Sequence, residues 1–163
     1  GCMQGHEQAY RHHQWIAQRL DENYVPFLRS LPRKMTVELE GSRALMTHYH
    51  TNYTGGFQPI DPNPDGEKLD RLYADSPYDL VCFGHHHPVH WFQTNRRTYV
   101  NPGALGCNER SVARYGLIQI TGGVPVVHLR EVEYDRKAFL QSYIDLDVPD
   151  REFIVKVFHG VNP

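Results

Sequence analysis

The sequence lacks most of the features that would take it out of the ordinary globular class. It has three cysteines in 163 residues, Cys2, Cys82 and Cys107, an odd number with no close pair. That spacing argues against a disulfide framework and against a cysteine-based zinc site. Charge of one sign is also missing. The formal net charge is −2 with histidine neutral, so no strong field draws nucleic acid or an anionic membrane surface. No apolar run approaches membrane-spanning length, and no signal-peptide pattern is visible. A cytoplasmic setting without a membrane partner is therefore the expectation. Internal repeats and low-complexity tracts are absent as well.

What is present is core-forming material and histidine. The chain is 40% hydrophobic and 12% aromatic, enough for a real core, and its length predicts one domain over 1–163. Residues 6–20 follow a helical period, with Trp15, Ile16 and Leu20 on one side. Asp21 is placed to cap a short helix that carries Pro26 in its first turn and stops at Pro32. Residues 36–40 alternate as a half-exposed strand, Gly41-Ser42 reads as a two-residue turn, and residues 43–47 return. The segment 49–66 is rich in glycine and proline, so regular structure is not expected there. Its position after a histidine-tipped strand suggests a flap over a site. A helix over 67–76 and a strand over 79–83 follow. Strands are predicted over 89–92 and 97–100, then over 115–120 and 124–132 around Gly122-Gly123. Asp135 and Asp150 mark the starts of two last helices. This order predicts an α/β (α+β) fold, a mixed sheet system with helices outside.

There are eleven histidines. For His6, His12, His13, His128 and His159 a structural or surface role is the plain reading, because no partner is evident. Gly84-His85-His86-His87-Pro88 differs. It follows the apolar run Leu80-Val81-Cys82-Phe83, and an extended backbone would turn His85 and His87 to one side. Imidazole suits zinc, manganese and iron. His48 ends one strand, His85 and His87 end another, and Asn101 ends a third ahead of Pro102-Gly103. If those ends are neighbours, three imidazoles converge with an amide close by. His50 and His90 lie a few residues beyond stronger candidates and are expected to line the cleft. Such a set could bind one metal ion, or share in holding two, and two ions close together generate a hydroxide nucleophile and clamp the oxygens of a phosphate ester. Arg96-Arg97 could meet a phosphate, though a solvated turn is the simpler expectation.

These strand ends, in this order, resemble the C-terminal half of the calcineurin-like metallophosphoesterase family. Gly84-His85-His86-His87 resembles its Gly-His-x-His motif and Thr47-His48 its single-histidine motif. Val100-Asn101-Pro102-Gly103-Ala104 is similar to the Asn-Pro-Gly-Ser turn of the smaller bacterial and archaeal phosphodiesterases. Phe27 to Pro32 and Ala113-Arg114-Tyr115 fit that subgroup too, and the likeness runs from about Trp15 to Arg130. The resemblance implies a four-layer αββα sandwich and a site for two divalent metal ions (manganese, iron, zinc or nickel). It implies that His48 and His85 bind one ion and His87 the other, with His50, His90 and Asn101 around them. It also implies hydrolysis of phosphoesters, chiefly phosphodiesters, with nucleic acid only as a possible substrate.

The family's Asp-x-His, Gly-Asp and Gly-Asn-His-Asp motifs do not occur in this sequence. The bridging carboxylate and the leaving-group histidine are therefore not among these residues, and no catalytic residue is assigned here. Tyr49 replaces a usual glycine, His86 a common threonine and Ala104 a serine. The expectation is a fragment of a longer enzyme that lacks the N-terminal strands. The alternative is a catalytically incomplete remnant that serves as a metal-binding or protein-interaction domain.

Overall fold

The computed structural model describes residues 2–161; the side chains of Cys2 and His6 lie outside the described residues. Two helices come first, α1 (Cys2–Ala17) and α2 (Val25–Ser30), then strands β1 (Lys34–Leu39) and β2 (Ser42–Thr47). Helix α3 (Gly66–Leu72) precedes β3 (Leu80–Cys82), β4 (His90–Gln93) and β5 (Thr98–Asn101). The hairpin β6 (Val112–Thr121) and β7 (Val124–Glu133) leads to α4 (Arg136–Asp145) and α5 (Arg151–His159). Among the described residues no helix is long and apolar enough to cross a membrane. The chain divides into two compact units, one of residues 32–106 and 112–132 and one of the remaining described residues.

The first unit is built on a five-stranded sheet in the order β1-β2-β3-β5-β4. Strands β2, β3 and β5 run parallel, and β1 and β4 pair antiparallel at the edges. Side chains alternate across a strand, which sorts the core into two layers. Leu45, Val81 and Tyr99 face one way and pack with Leu69 and Tyr73 at α3. Ala44, Leu80 and Val100 face the other way, against Val127 with Ile118, Ile120 and Leu129 of the β6–β7 hairpin. Helix, sheet and hairpin thus form three successive layers of a mixed α/β fold. Cys82 sits half-buried with the second group, and burial pushes its thiol up to about 11. It is a small core residue, as its sequence context suggests.

Two sequence expectations shift. The β1–β2 turn is Glu40-Gly41, not Gly41-Ser42, because Leu39 pairs directly with Ser42. Both turn residues have positive φ, +47° and +78°, as the favoured two-residue hairpin turn requires. Arg97 is not in a solvated turn. It is buried and donates from Nε to the Tyr78 carbonyl at 2.8 Å and from Nη2 to the Ser76 carbonyl at 2.7 Å. Its guanidinium faces Asp70, whose Oδ1 accepts from the Tyr99 hydroxyl at 2.8 Å. The arginine ties the end of the α3 segment to the sheet.

In the second unit the expected caps appear in part. Asp21 accepts from Asn23 N at 2.9 Å at the head of a single 3-10 turn (Glu22–Tyr24), and Pro26 sits in the first turn of α2. Asp135 accepts from Lys137 N at 2.9 Å to start α4. Asp150 stands at the head of α5 but makes no capping bond, because its backbone is left-handed with φ +56°. It pairs instead with Arg11 at 3.6 Å. His159 is buried against Phe139 and Tyr143, and Arg136 donates to its carbonyl.

Candidate functional site

Because β2, β3 and β5 are parallel neighbours, their C-terminal ends emerge at one edge of the sheet. His48 and the Gly84–His87 turn follow the first two ends and Asn101 is the last residue of the third, in spatial order. The convergence expected from sequence therefore has a simple topological cause. The ends are also tied together beyond the strands. Gly84 N donates to the His48 carbonyl at 2.9 Å, and Phe83 N donates to the Val100 carbonyl at 2.9 Å. The ideal Cβ position at Gly84 lies 3.6 Å from that His48 carbonyl, which leaves room for ordinary contact only.

At His85 the chain does not continue extended. Its φ is +67°, and His86 N donates back to the Gly84 carbonyl at 2.8 Å. This closes a three-residue turn of the uncommon positive-φ form. The period-two argument that would put His85 and His87 on one side thus fails here, because it holds only for a strand. What the turn achieves is a meeting between chains. His48 Nε2 and His85 Nδ1 stand 3.0 Å apart, with ring centroids at 4.8 Å. Such a separation serves as a hydrogen bond between the rings. It equally suits two ligands of one ion: with metal–nitrogen bonds of about 2.05 Å, it subtends roughly 95°.

His87 is exposed and lies close enough to its neighbours for their charges to act on it. Partial burial first, then the positive forms of His85 and His86, lower its pKa. Among the described residues, however, no three His, Cys, Asp or Glu side chains are grouped so as to hold an ion. This chain shows a two-imidazole pair with a third histidine near it, not a closed ligand set.

The surrounding residues fall into three kinds. His50 is in the core, 4% exposed, packed on Tyr49 and Phe83, with Nδ1 2.9 Å from the Tyr73 hydroxyl. Burial pulls its pKa from 6.5 down to about 4, so it is neutral at ordinary pH. Asn101 is fully buried and works as a staple. Its Nδ2 donates to the His86 carbonyl, and its Oδ1 accepts from Gly103 N at 2.9 Å. His90 is half-buried on β4, with Nε2 2.9 Å from His86 Nδ1. Desolvation first, then His86, lowers the His90 pKa, and Asp61 opposes this. Asp61 is itself held low by bonds from Asn63 N and from Lys68, whose Nζ lies 3.0 Å from its Oδ2.

Two neighbours of the site carry no motif. Tyr49 is 2% exposed and packs against the turn, with its ring 5.3 Å from that of His85. Phe57 stands over the pair, 5.6 Å from the His48 ring and 6.5 Å from that of His85. It belongs to the segment expected to be irregular, and only the tertiary fold brings it here. The His86–His90 contact was legible in principle as a pair of imidazoles four apart across Pro88.

The profile of the calcineurin-like phosphoesterase superfamily domain matches residues 6–123. No curated protein matches the chain. Among solved structures, a hypothetical protein from Pyrococcus horikoshii OT3 is similar with a TM-score of 0.71 at 19% identity. The match covers 90% of this chain and 57% of that one. A metallophosphoesterase from Sphaerobacter thermophilus is similar with a TM-score of 0.67 at 16% identity, over 91% of this chain and 67% of that one. Wild-type Vps29 from Entamoeba histolytica, complexed with Zn2+, matches at a TM-score of 0.46 and 16% identity, over 64% and 62% of the two chains. The chain thus spans somewhat over half the length of the Pyrococcus protein. The profile match takes in most of the chain, including His48, the His85–His87 turn and Asn101, and the chain belongs to the calcineurin-like phosphoesterase superfamily.

Proposed function

We propose that this chain contributes His48, His85 and His87 to a dinuclear divalent-metal centre that hydrolyses phosphoesters, with phosphodiesters preferred. That superfamily consists mostly of phosphoester hydrolases, and its members typically bind divalent metals. The observation that carries the reading is the 3.0 Å approach of His48 Nε2 to His85 Nδ1 at the shared edge of three parallel strands. Neutral imidazole nitrogens so arranged suit manganese, iron, zinc or nickel. The ions, when bound, supply Lewis-acid polarisation of the phosphoryl group.

The residues of this chain hold and orient. His48 and His85 offer nitrogen lone pairs to one ion, and His87 offers its own to the second. Asn101 fixes the carbonyl between His85 and His87, so the turn cannot open without losing its hydrogen bond to a buried side chain. His50 supports the turn from beneath through Phe83 and Tyr49 and does not touch substrate, because it is buried. His90 borders the site through His86. Protons compete for the ligating imidazoles, so acid releases the metal.

The test is hydrolysis of bis-p-nitrophenyl phosphate with added Mn2+, together with calorimetric metal titration of the protein and its His48→Ala, His85→Ala and His87→Ala variants. Loss of metal-dependent turnover and weaker metal binding in each variant is the expected result. Turnover unchanged in His87→Ala would sink the assignment. One observation favours a second reading: among the described residues no third donor closes the set. The chain would then be a metal-binding or protein-interaction module without turnover, and one equivalent of metal or none, with no hydrolysis, would identify it.

A further inference from the structure

We propose that Phe57 forms an aromatic subsite beside the His48–His85 pair, which receives the planar ring of a phosphoester's organic group, a nucleobase or an aryl ring. The inference rests on the proposed phosphoester site for where the phosphorus sits. Three observations carry it.

Phe57 is fixed in place. Thr51 and Phe57 form an antiparallel bridge, and Asn52 N donates to the Gly56 carbonyl at 2.8 Å. Asn52 Oδ1 accepts from Thr54 N and Gly56 N, each at 3.0 Å, and from the Thr54 hydroxyl at 2.7 Å. A loop without helix or strand is thus closed on itself by backbone bonds and by the Asn52 side-chain oxygen at its centre. The ring is also aimed. It meets His48 edge-on at 66° and lies within 19° of the plane of His85. It is left open as well. Its exposure is 47%, while the core beneath it is filled by Tyr49, Phe83 and their neighbours.

A half-exposed phenyl ring held beside two imidazoles offers apolar surface at the distance of an ester substituent. It carries no hydrogen-bonding group, so it reads flatness and not base identity. Stacking on an aromatic side chain is tolerant in this way, because every base has a π-face. A sugar or alkyl substituent gains little there.

The experiment is isothermal titration of the full chain, with Mn2+ present, using adenosine 5′-monophosphate and ribose 5-phosphate as probes. The nucleotide should bind about thirtyfold more tightly, the middle of the range for one stacked base. Phe57→Leu should erase that preference and leave ribose 5-phosphate unchanged, and Phe57→Trp should retain it. Equal affinities in the parent protein, a preference that survives Phe57→Leu, or no detectable nucleotide binding would each overturn the proposal. Repeating the titrations with chelator separates the two ideas. Affinities indifferent to metal count against the metal reading, while the ratio of the two probes still reports on the ring.

Discussion

The buried imidazole of His50 gives a quantitative handle on stability. Its pKa falls from 6.5 to about 4 because the core disfavours the charged form. For a base, a depressed folded value means that the unfolded chain binds the extra proton. The stabilising effect of keeping His50 neutral is therefore complete above pH 6.5. It is lost as pH falls, and the loss levels off near pH 4. At 1.36 kcal/mol per pH unit, the whole window amounts to about 3 kcal/mol. Between pH 7 and pH 5 the loss is about 2 kcal/mol, a sizeable part of a stability of roughly 5–15 kcal/mol. The assay is urea unfolding at both pH values, for the parent protein and for His50→Gln, which keeps a polar partner for the Tyr73 hydroxyl. Other histidines titrate in both proteins and cancel in the comparison. The parent should lose about 2 kcal/mol more than the variant on acidification. Equal pH slopes, or a His50 ring proton that titrates near 6.5 by NMR, would refute the reasoning.

Gly103→Ala should destabilise the protein by about 1–3 kcal/mol, read from the urea midpoint. Its φ is +91°, and an added Cβ would stand 3.0 Å from Arg114 Cδ and 3.1 Å from the His87 carbonyl oxygen. Asn101→Leu, close in volume, should cost about 1–3 kcal/mol in the same assay, because the His86 carbonyl and Gly103 N both lose a buried partner. It should also weaken metal binding in calorimetry, since the histidine turn loses its tie. Arg97→Met should lower stability by about 3 kcal/mol by leaving Asp70 and two carbonyls without their cation; a midpoint within error of the parent would show the arginine to be dispensable.

The parts of the structure that were legible in sequence are those decided locally. Asp21 and Asp135 announce helix starts because a capping bond spans only two residues. The two layers of the sheet follow from the period of two, and the strand-end histidines from their position after apolar runs. The β1–β2 turn moved by one residue because Glu40 accepts a left-handed backbone that sequence does not advertise. Asp150 sits where a cap belongs but is left-handed, so position alone overstated its role. The rest required tertiary structure. His50 is a core residue because Tyr73, 23 residues on, reaches its ring. Arg97 is buried because its acceptors come from Ser76 and Tyr78. Phe57 is a site residue only because Asn52 folds its loop back over His48. The positive-φ turn at His85 lacks the glycine that would have signalled it.

His48 and His85 are 37 positions apart, and the strands that carry them are parallel, so a crossover that includes α3 must close before the rings can meet. Loop closure of that kind is an entropic cost met before any contact is gained, and parallel pairing is slow for this reason. The imidazole pair can therefore meet only once β2 and β3 have found each other across that crossover. An ion held by the pair would tie the two ends of the crossover together in the native chain, and the ratio of its effects on the folding and unfolding rates would report whether the crossover is closed at the barrier.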